Sequence, residues 1–117
     1  MGLNVIKKKL WTDQALGSTT INTDWVDVSQ LEKGSFSFVW DSGSSPSGTV
    51  QVIVSNRPEH DDINVLTLSA TLTVSGTDGS HIANLDDIPG RFVALRYVGT
   101  SGSAVAHVEF FGKGRGQ

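Results

Sequence analysis

Three histidines are the side chains of this chain best suited to acid–base chemistry, and none has the spacing of a known catalytic motif. His60 lies in the polar run PEHDD, His81 follows the run GTDGS, and His107 lies inside an alternating apolar segment. A His/Ser/Asp triad can be assembled from the composition, but no GxSxG, P-loop or HExxH pattern supports one. We therefore expect a protein that is not an enzyme, in which all three histidines can be replaced together without loss of function.

The acidic residues offer weak candidates for a metal site. Residues 59–62 (EHDD) form one run, and Asp86 and Asp87 form a second. Carboxylates on a flexible loop can hold Ca²⁺, but neither run has the D-x-D-x-D-G spacing of a calcium loop. The chain has no cysteine, which excludes thiolate metal sites and disulfides. We expect hydrated loops at both positions, with no metal and no cofactor.

The three tryptophans could provide a platform for stacking against a sugar. Trp40 ends an alternating series with Phe36 and Phe38, a pattern typical of core. Trp11 and Trp25 lie beside polar residues, so an interface and a sugar site both remain open for them.

Positive charge is concentrated at the two ends of the chain. The formal net charge of –3 is too small to imply nucleic-acid binding, and no apolar run is long enough to cross a membrane. Lys7, Lys8, Lys9, Lys113 and Arg115 flank an acidic middle. This distribution is compatible with docking to an acidic neighbouring protein through Lys7, Lys9, Lys113 and Arg115, and alternation along a strand sends Lys8 to the opposite face. The more common reason for such charges is that they keep sheet edges soluble.

Period-two alternation of apolar residues predicts the elements that position these side chains. The one helical candidate is residues 27–33, with Ser29 as its cap. We expect Gly/Ser-rich loops at residues 41–48 and 75–80, and irregular structure over residues 81–90. The prediction is an all-β, antiparallel β-sandwich of jelly-roll type with seven to eight strands and little or no helix, formed as a single domain by residues 1–117. The predicted strands are residues 5–10, 16–21 (weakly), 25–28, 35–40, 49–55, 66–74, 92–98 and 104–111.

The same alternation assigns faces to the strands. An uncharged outer face suits packing against another copy, although threonine is also simply a good strand former. We expect a homo-oligomer, with a trimer as the first expectation. The uncharged outer residues are Thr67, Ser69, Thr71 and Thr73. The predicted core is Phe36, Phe38, Trp40, Val50, Val52, Val54, Leu66, Leu68, Leu72, Phe92 and Val108.

Four motifs, in order along the chain, resemble the small all-β virion structural proteins of tailed phages. They are VIKKKL, VDVSQLEKGSFSFVW, GTVQVIVSN and RYVGTSGSAVAHVEFFGKG. The chain departs from that pattern after Ser55–Asn56, where RPEHDD leads to Ile63 rather than to a tryptophan.

The resemblance implies a particular place and function. It implies a capsid decoration or auxiliary head protein that lies in the virion and binds the shell surface as an oligomer, with the major capsid protein or a neighbouring structural protein as its partner. The alternative is a carbohydrate-binding or host-attachment module of a tail fibre or spike. Its ligand would meet loops 41–48, 56–63 and 75–80 at one end of the sandwich.

Overall fold

A computed structural model describes residues 5–57, 62–66, 72–86 and 90–114, with only the backbone at residue 62. The predicted roles of Glu59, His60, Asp61, Thr67, Leu68, Ser69, Thr71, Asp87 and Arg115 lie outside the described residues. The predicted all-β antiparallel sandwich is confirmed, and the described part of the chain contains no helix, hence none that could cross a membrane. The eight strands are β1 (Val5–Leu16), β2 (Thr20–Asn22), β3 (Val26–Asp27), β4 (Lys33–Arg57), β5 (Asp62–Leu66), β6 (Leu72–Ser75), β7 (Gly79–Leu85) and β8 (Phe92–Lys113).

Two very long strands, β4 and β8, pair with each other almost from end to end. Their register shifts between Asp41 and Gly48, where Ser42 and Ser45 both have positive φ angles. Gly102 of β8 also has a positive φ and lies so close to the Ser45 carbonyl that a side chain would have no room. These irregularities bend the paired strands β4 and β8, which we call the ribbon, into two halves.

This continuity corrects the sequence prediction at two places. Residues 41–48 were expected to be a loop, and strands 92–98 and 104–111 were expected to be joined by a turn. The same serines and glycines that favour turns are instead accommodated as bulges inside paired strands, because the partner strand continues alongside them.

Each half of the ribbon is the centre of one sheet. Sheet 1 has the order β1-β8-β4-β7 and uses the start of β4 with the end of β8. Sheet 2 uses the end of β4 with the start of β8. In it, β2 and β3 lie beside β8, and β5 and β6 lie beside β4. The rings of Phe38 in sheet 1 and Tyr97 in sheet 2 stack with their centroids 6.2 Å apart. The two sheets therefore pack face to face as a sandwich.

The core fills the space between the sheets and confirms most of the predicted set. Leu66, Leu72 and Phe92 are half-buried rather than buried. The core also includes Trp11, Tyr97 and Phe110, which the prediction had not named. The predicted residues that are buried are Phe36, Phe38, Trp40, Val50, Val52, Val54 and Val108.

The predicted helix at residues 27–33 is wrong. Asp27 ends β3, and Lys33 begins β4. Ser29 does not cap a helix; its backbone N–H and its hydroxyl both donate to the Asp27 carboxylate, at 3.0 and 2.7 Å. These two hydrogen bonds lower the pKa of Asp27. The segment is thus a turn held by an aspartate, a conformation that competes with helix for the same short polar residues.

Three further strand boundaries differ from the prediction. Residues 81–85 were expected to be irregular but belong to β7, with Ala83 and Leu85 inside the core. The single strand predicted over residues 66–74 does not keep one register, because Leu66 of β5 and Leu72 of β6 lie opposite Val52 and Val50, which are only two residues apart on β4. The weak strand over residues 16–21 does not exist as such, because β1 continues to Leu16 through two bulges and β2 begins at Thr20.

Candidate interaction surface

The outer face of sheet 1 collects most of the unusual exposed side chains, and we call it the charged face. Register fixes its rows, since residues directly opposite in an antiparallel pair point to the same side. Lys7 is opposite Phe111, and Phe111 is opposite Ser35. The charged face comprises Val5, Lys7, Lys9, Lys33, Ser35, Ser37, Val39, Asp41, Ser80, Ile82, Asn84, Val105, His107, Glu109, Phe111 and Lys113, with Asp13 at its margin.

Four of the five lysines of the chain lie on the charged face. Register brings Lys7, Lys9 and Lys113 together there, and it adds Lys33, directly opposite Lys113. Lys8 lies on the opposite pleat, across from the buried Phe110. Within the described segments, none of these lysines forms an ion pair. The lysines of the face therefore lack a close ion-pair partner among the described residues, although Glu109 lies directly opposite Lys9.

Sequence reasoning did not find Lys33. Its partner strand lies far away in the chain, and the residue was assigned to the wrong element, a helix. The alternation KGSFSF does place a lysine in phase with Ser35 and Ser37, opposite to Phe36. This alternation is the sequence signal that could have placed Lys33 on the same face as Ser35 and Ser37.

The other end of the charged face is acidic. The Nε2 atom of His107 lies 3.1 Å from Asp41 Oδ2 and 3.8 Å from Asp13 Oδ1. The backbone N–H of Asp13 donates to His107 Nδ1 at 3.3 Å, so the neutral ring carries its proton on Nε2 and donates it to Asp41. Asp13 reaches this position from a bulge with φ of 53°. The two carboxylates hold the imidazole in one orientation.

The cluster of His107, Asp13 and Asp41 does not have the hydrogen-bonding order of a nucleophilic triad. The nearby hydroxyl of Ser42 donates to Asp41 Oδ1 at 3.0 Å rather than to the histidine. A triad needs the histidine to accept the proton of the nucleophile. Nor does the part of the chain that the structure describes contain three or more His, Cys, Asp or Glu side chains grouped so that they could hold a metal ion.

His81 is placed differently from what the sequence indicated. It lies within β7, its ring centroid is 5.4 Å from that of Trp40, and its Nε2 atom is 2.6 Å from the Thr73 carbonyl oxygen. It therefore joins β6 to β7, two strands that pair separately with β4. Its role is structural.

Exposed apolar side chains accompany the charges. Ile82 is 65% exposed and Phe111 is 41% exposed, and Val5 and Val39 are also exposed on the same face. A shallow cavity of about 410 Å³ borders Lys7, Lys9 and Phe111, and another of about 330 Å³ continues towards Val39. Exposed apolar groups clustered among polar ones are typical of a surface that binds another macromolecule.

The outer face of sheet 2 is different, and we call it the neutral face. One row runs from Thr20 through Val98 and Thr49 to Thr73. In the next row the Arg96 guanidinium donates to the Asn22 side chain at 3.1 Å. The predicted outward position of Thr73 is confirmed, since it is exposed here. These two described rows present hydroxyls and one hydrogen-bonded cation, while Asp27 and Arg91 lie beside Phe92 at the edge of the face.

Two features of a sugar site are missing from the described segments. Trp11 and Trp40 are buried and Trp25 is half-buried, so the tryptophans form no exposed platform. The three loops expected at one end do not all meet. Residues 41–48 and 75–80 adjoin, with the Gly43 N–H donating to the Thr77 carbonyl, but Asn56 lies near the far end of β4. That separation is about 30 Å along the strand, so the expected three-loop ligand site is wrong.

Comparison with known proteins places the fold. No protein-family model matches the chain, and no curated protein matches its sequence. The SPBc2 prophage-derived protein YomS superposes with a TM-score of 0.60 at 12% identity, over 97% of this chain and 96% of that one. The PBSX exported protein XepA superposes with a TM-score of 0.62 at 15% identity, over 96% of this chain and 38% of XepA.

A third similar structure is that of infectious bursal disease virus, Gx strain. Its TM-score is 0.64 at 12% identity, over 98% of this chain and 33% of that one. The chain thus corresponds to about a third of the viral protein and of XepA. At these identities the likeness extends to the fold.

Proposed function

We propose that this chain is a structural protein of a phage particle: a decoration or auxiliary head protein that binds the shell surface as a homo-oligomer. The charged face is the observation that carries the proposal, because unpaired lysines and exposed apolar side chains share one flat sheet surface. The order of the sequence motifs and a fold shared with the SPBc2 prophage-derived protein YomS and the PBSX exported protein XepA support the same conclusion.

The mechanism is adhesion without chemistry. Burying apolar surface contributes roughly 25 cal/mol per Å², so Ile82, Phe111 and Val39 supply affinity when a neighbour covers them. The lysines select a neighbouring subunit with an acidic surface and accelerate encounter. Arg115, outside the described residues, extends the same basic end in the sequence. Attachment should weaken with salt, since exposed charges are screened over roughly 10 Å at 0.1 M.

No catalytic step belongs to this function. We propose that the triple variant His60→Gln, His81→Gln and His107→Gln keeps its particle binding, because the lysines and exposed apolar side chains to which we assign the binding are unchanged and glutamine keeps a polar side chain beside Asp41 at position 107. Loss of binding by a triple variant that remains folded and oligomeric would contradict this.

The host-attachment alternative has less support. It needs a ligand platform, and two of the three tryptophans are buried while the candidate loops do not all meet. Glycan-array binding that maps to loop residues would revive it.

The test is cosedimentation with particles that lack the protein, across a salt series. The variant Lys7→Glu/Lys9→Glu should lower occupancy at least tenfold at low salt, and its salt dependence should be flatter than that of the wild type. Lys8→Glu is the matched control, since it has the same chemistry at the adjacent position on the opposite pleat. Equal occupancy and equal salt dependence in the double variant and the wild type would overturn the docking role.

A further inference from the structure

The charged face has a basic end and an acidic end, with an exposed isoleucine in its central row. Lys33 and Lys113 form the first row, while Asp41 lies at the other end of the same strand segment. Asp41 and Asp13 are 52% and 77% exposed at their side chains, so they can meet an incoming charge. Ile82 lies in the central row. A surface with a basic end and an acidic end is complementary in charge to a second copy of itself turned end for end.

We propose that two copies of the chain pack together through their charged faces, about a two-fold axis that runs across the strands. Such an axis places the basic end of each copy over the acidic end of the other. Lys33 then faces Asp41 of the second copy, Lys7 faces Asp13 of the second copy, and Ile82 meets its own equivalent.

The register of the sheet makes this arrangement specific. Lys33 and Asp41 lie equally far from Ser37 along β4, and Phe111 and His107 lie equally far from Glu109 along β8. Ser37, Glu109, Lys9 and Ile82 share the central row. A two-fold axis along that row therefore places Lys33 of each copy over Asp41 of the other in β4, while in β8 it places Phe111 over His107. Lys9 and Glu109 lie on the axis itself, where Lys9 of each copy is offset from Glu109 of the other by one strand, about 4.8 Å. An axis along the strands would instead make the row of Lys33 and Lys113 meet its own equivalent.

The size of the face fits a reversible dimer. Four strands about 4.8 Å apart and rows extending over nearly 30 Å give a surface of about 20 by 30 Å. Two such faces would bury on the order of 1,200 Å² together, at the lower end for a specific interface. A small interface held by charges at both ends should dissociate on dilution and in salt.

This inference rests on the proposed function in one respect: the acidic neighbouring subunit that the lysines select is a second copy, so the charged faces hold the oligomer together and the oligomer binds the shell through its remaining surface. A two-fold contact is self-complementary and joins copies in pairs. It gives a dimer, or an even-numbered assembly when combined with other contacts. The trimer expected from the sequence would need a separate interface.

The experiment is sedimentation equilibrium of the purified chain at low and high salt, with Lys33→Asp, Asp41→Lys and the double variant Lys33→Asp/Asp41→Lys. The wild type should dimerise, each single variant should dimerise at least tenfold more weakly, and the double variant should recover, because its exchanged charges again face each other. A monomeric wild type, or single variants that match it, would overturn the proposal.

A second measurement does not depend on how Asp41→Lys folds. The chain has no cysteine, so Ile82→Cys places one thiol at the proposed axis, where a short bismaleimide should link two copies. Val65→Cys is the control, since Val65 is also exposed but lies on β5 of sheet 2. Equal crosslinking of the two variants would contradict the arrangement.

The two proposals can fail separately. If the wild type is monomeric while Lys7→Glu/Lys9→Glu still loses particle binding, the dimer is wrong and the docking role stands. If the dimer forms as described but the chain does not bind particles, the dimer stands and the virion role is wrong.

Discussion

The two outer faces of the sandwich come from the same two strands and yet have opposite character. On the charged face the apolar residue Ile82 is 65% exposed, whereas on the neutral face Ile53 is completely buried, paired with Val65 and Ala94. The charged face also carries four lysines, while the neutral face carries a row of threonines. Ile53 is covered within the sheet, whereas Ile82 is left uncovered; Val65, beside Ile53, is an exposed apolar side chain of the neutral face. Among the described residues, the charged face combines more exposed apolar side chains with the lysines, and this combination is why we propose it as the face that another protein covers.

The largest expected effect compares these two isoleucines. Ile53→Ala should lower the free energy of unfolding by about 2–5 kcal/mol, because it leaves a cavity. Ile82→Ala should change it by no more than about 0.5 kcal/mol, since the side chain is already in water. Urea unfolding of both variants at low protein concentration measures the difference. Similar losses in the two would mean that the faces do not differ in burial.

The second comparison concerns two histidines. His81→Ala should cost about 1 kcal/mol, since it removes the contact with the Thr73 carbonyl and the packing on Trp40. His107→Ala should cost less, because that ring lies on the solvated charged face. Thermal unfolding at neutral pH ranks the two. If His107→Ala were the less stable of the two variants, His107 on the charged face would be the histidine that contributes more to stability.

The smallest effect concerns Asp27, which lies opposite Phe92 at the edge of sheet 2. Hydrogen bonds from Ser29 lower its pKa in the folded state, with Arg91 and Lys8 contributing less. A lowered folded pKa stabilises the protein at pH values above the ordinary value of 3.8, and this stabilisation is lost as the pH falls through the folded pKa. Asp27→Asn should therefore be less stable than the wild type at neutral pH, and the difference should shrink in acid. Asp24→Asn is the control, and an acid-independent difference would contradict the assignment.

The sequence predicts the features that depend on neighbouring residues, and it fails for those that depend on strands far apart in the chain. The buried series Phe36, Phe38 and Trp40 follows from local alternation, and so does the placement of Lys8 opposite to Lys7 and Lys9. Local chemistry misled at the bend, where serine and glycine indicate loops but the paired strand continues. It also misled at residues 27–33, where one aspartate holds a turn.

The candidate surface depended on long-range register. Nothing local indicates that Lys33 lies opposite Lys113, or that His107 meets Asp41 and Asp13 from two other strands. Strand order and two bulges decide those contacts. The sequence therefore predicted three of the four lysines of the charged face, and it predicted none of the acidic end.

Amine-reactive footprinting of the assembled particle tests most directly whether the charged face is the face in contact. The chain has five lysines, and Lys8, on the opposite pleat, serves as an internal control. Modification of each lysine is compared by mass spectrometry between the dilute free chain and the particle. Lys7, Lys9, Lys33 and Lys113 should lose most of their reactivity in the particle while Lys8 keeps its own. Equal reactivity of all five in both states, or protection of Lys8 alone, would contradict an interface on the charged face.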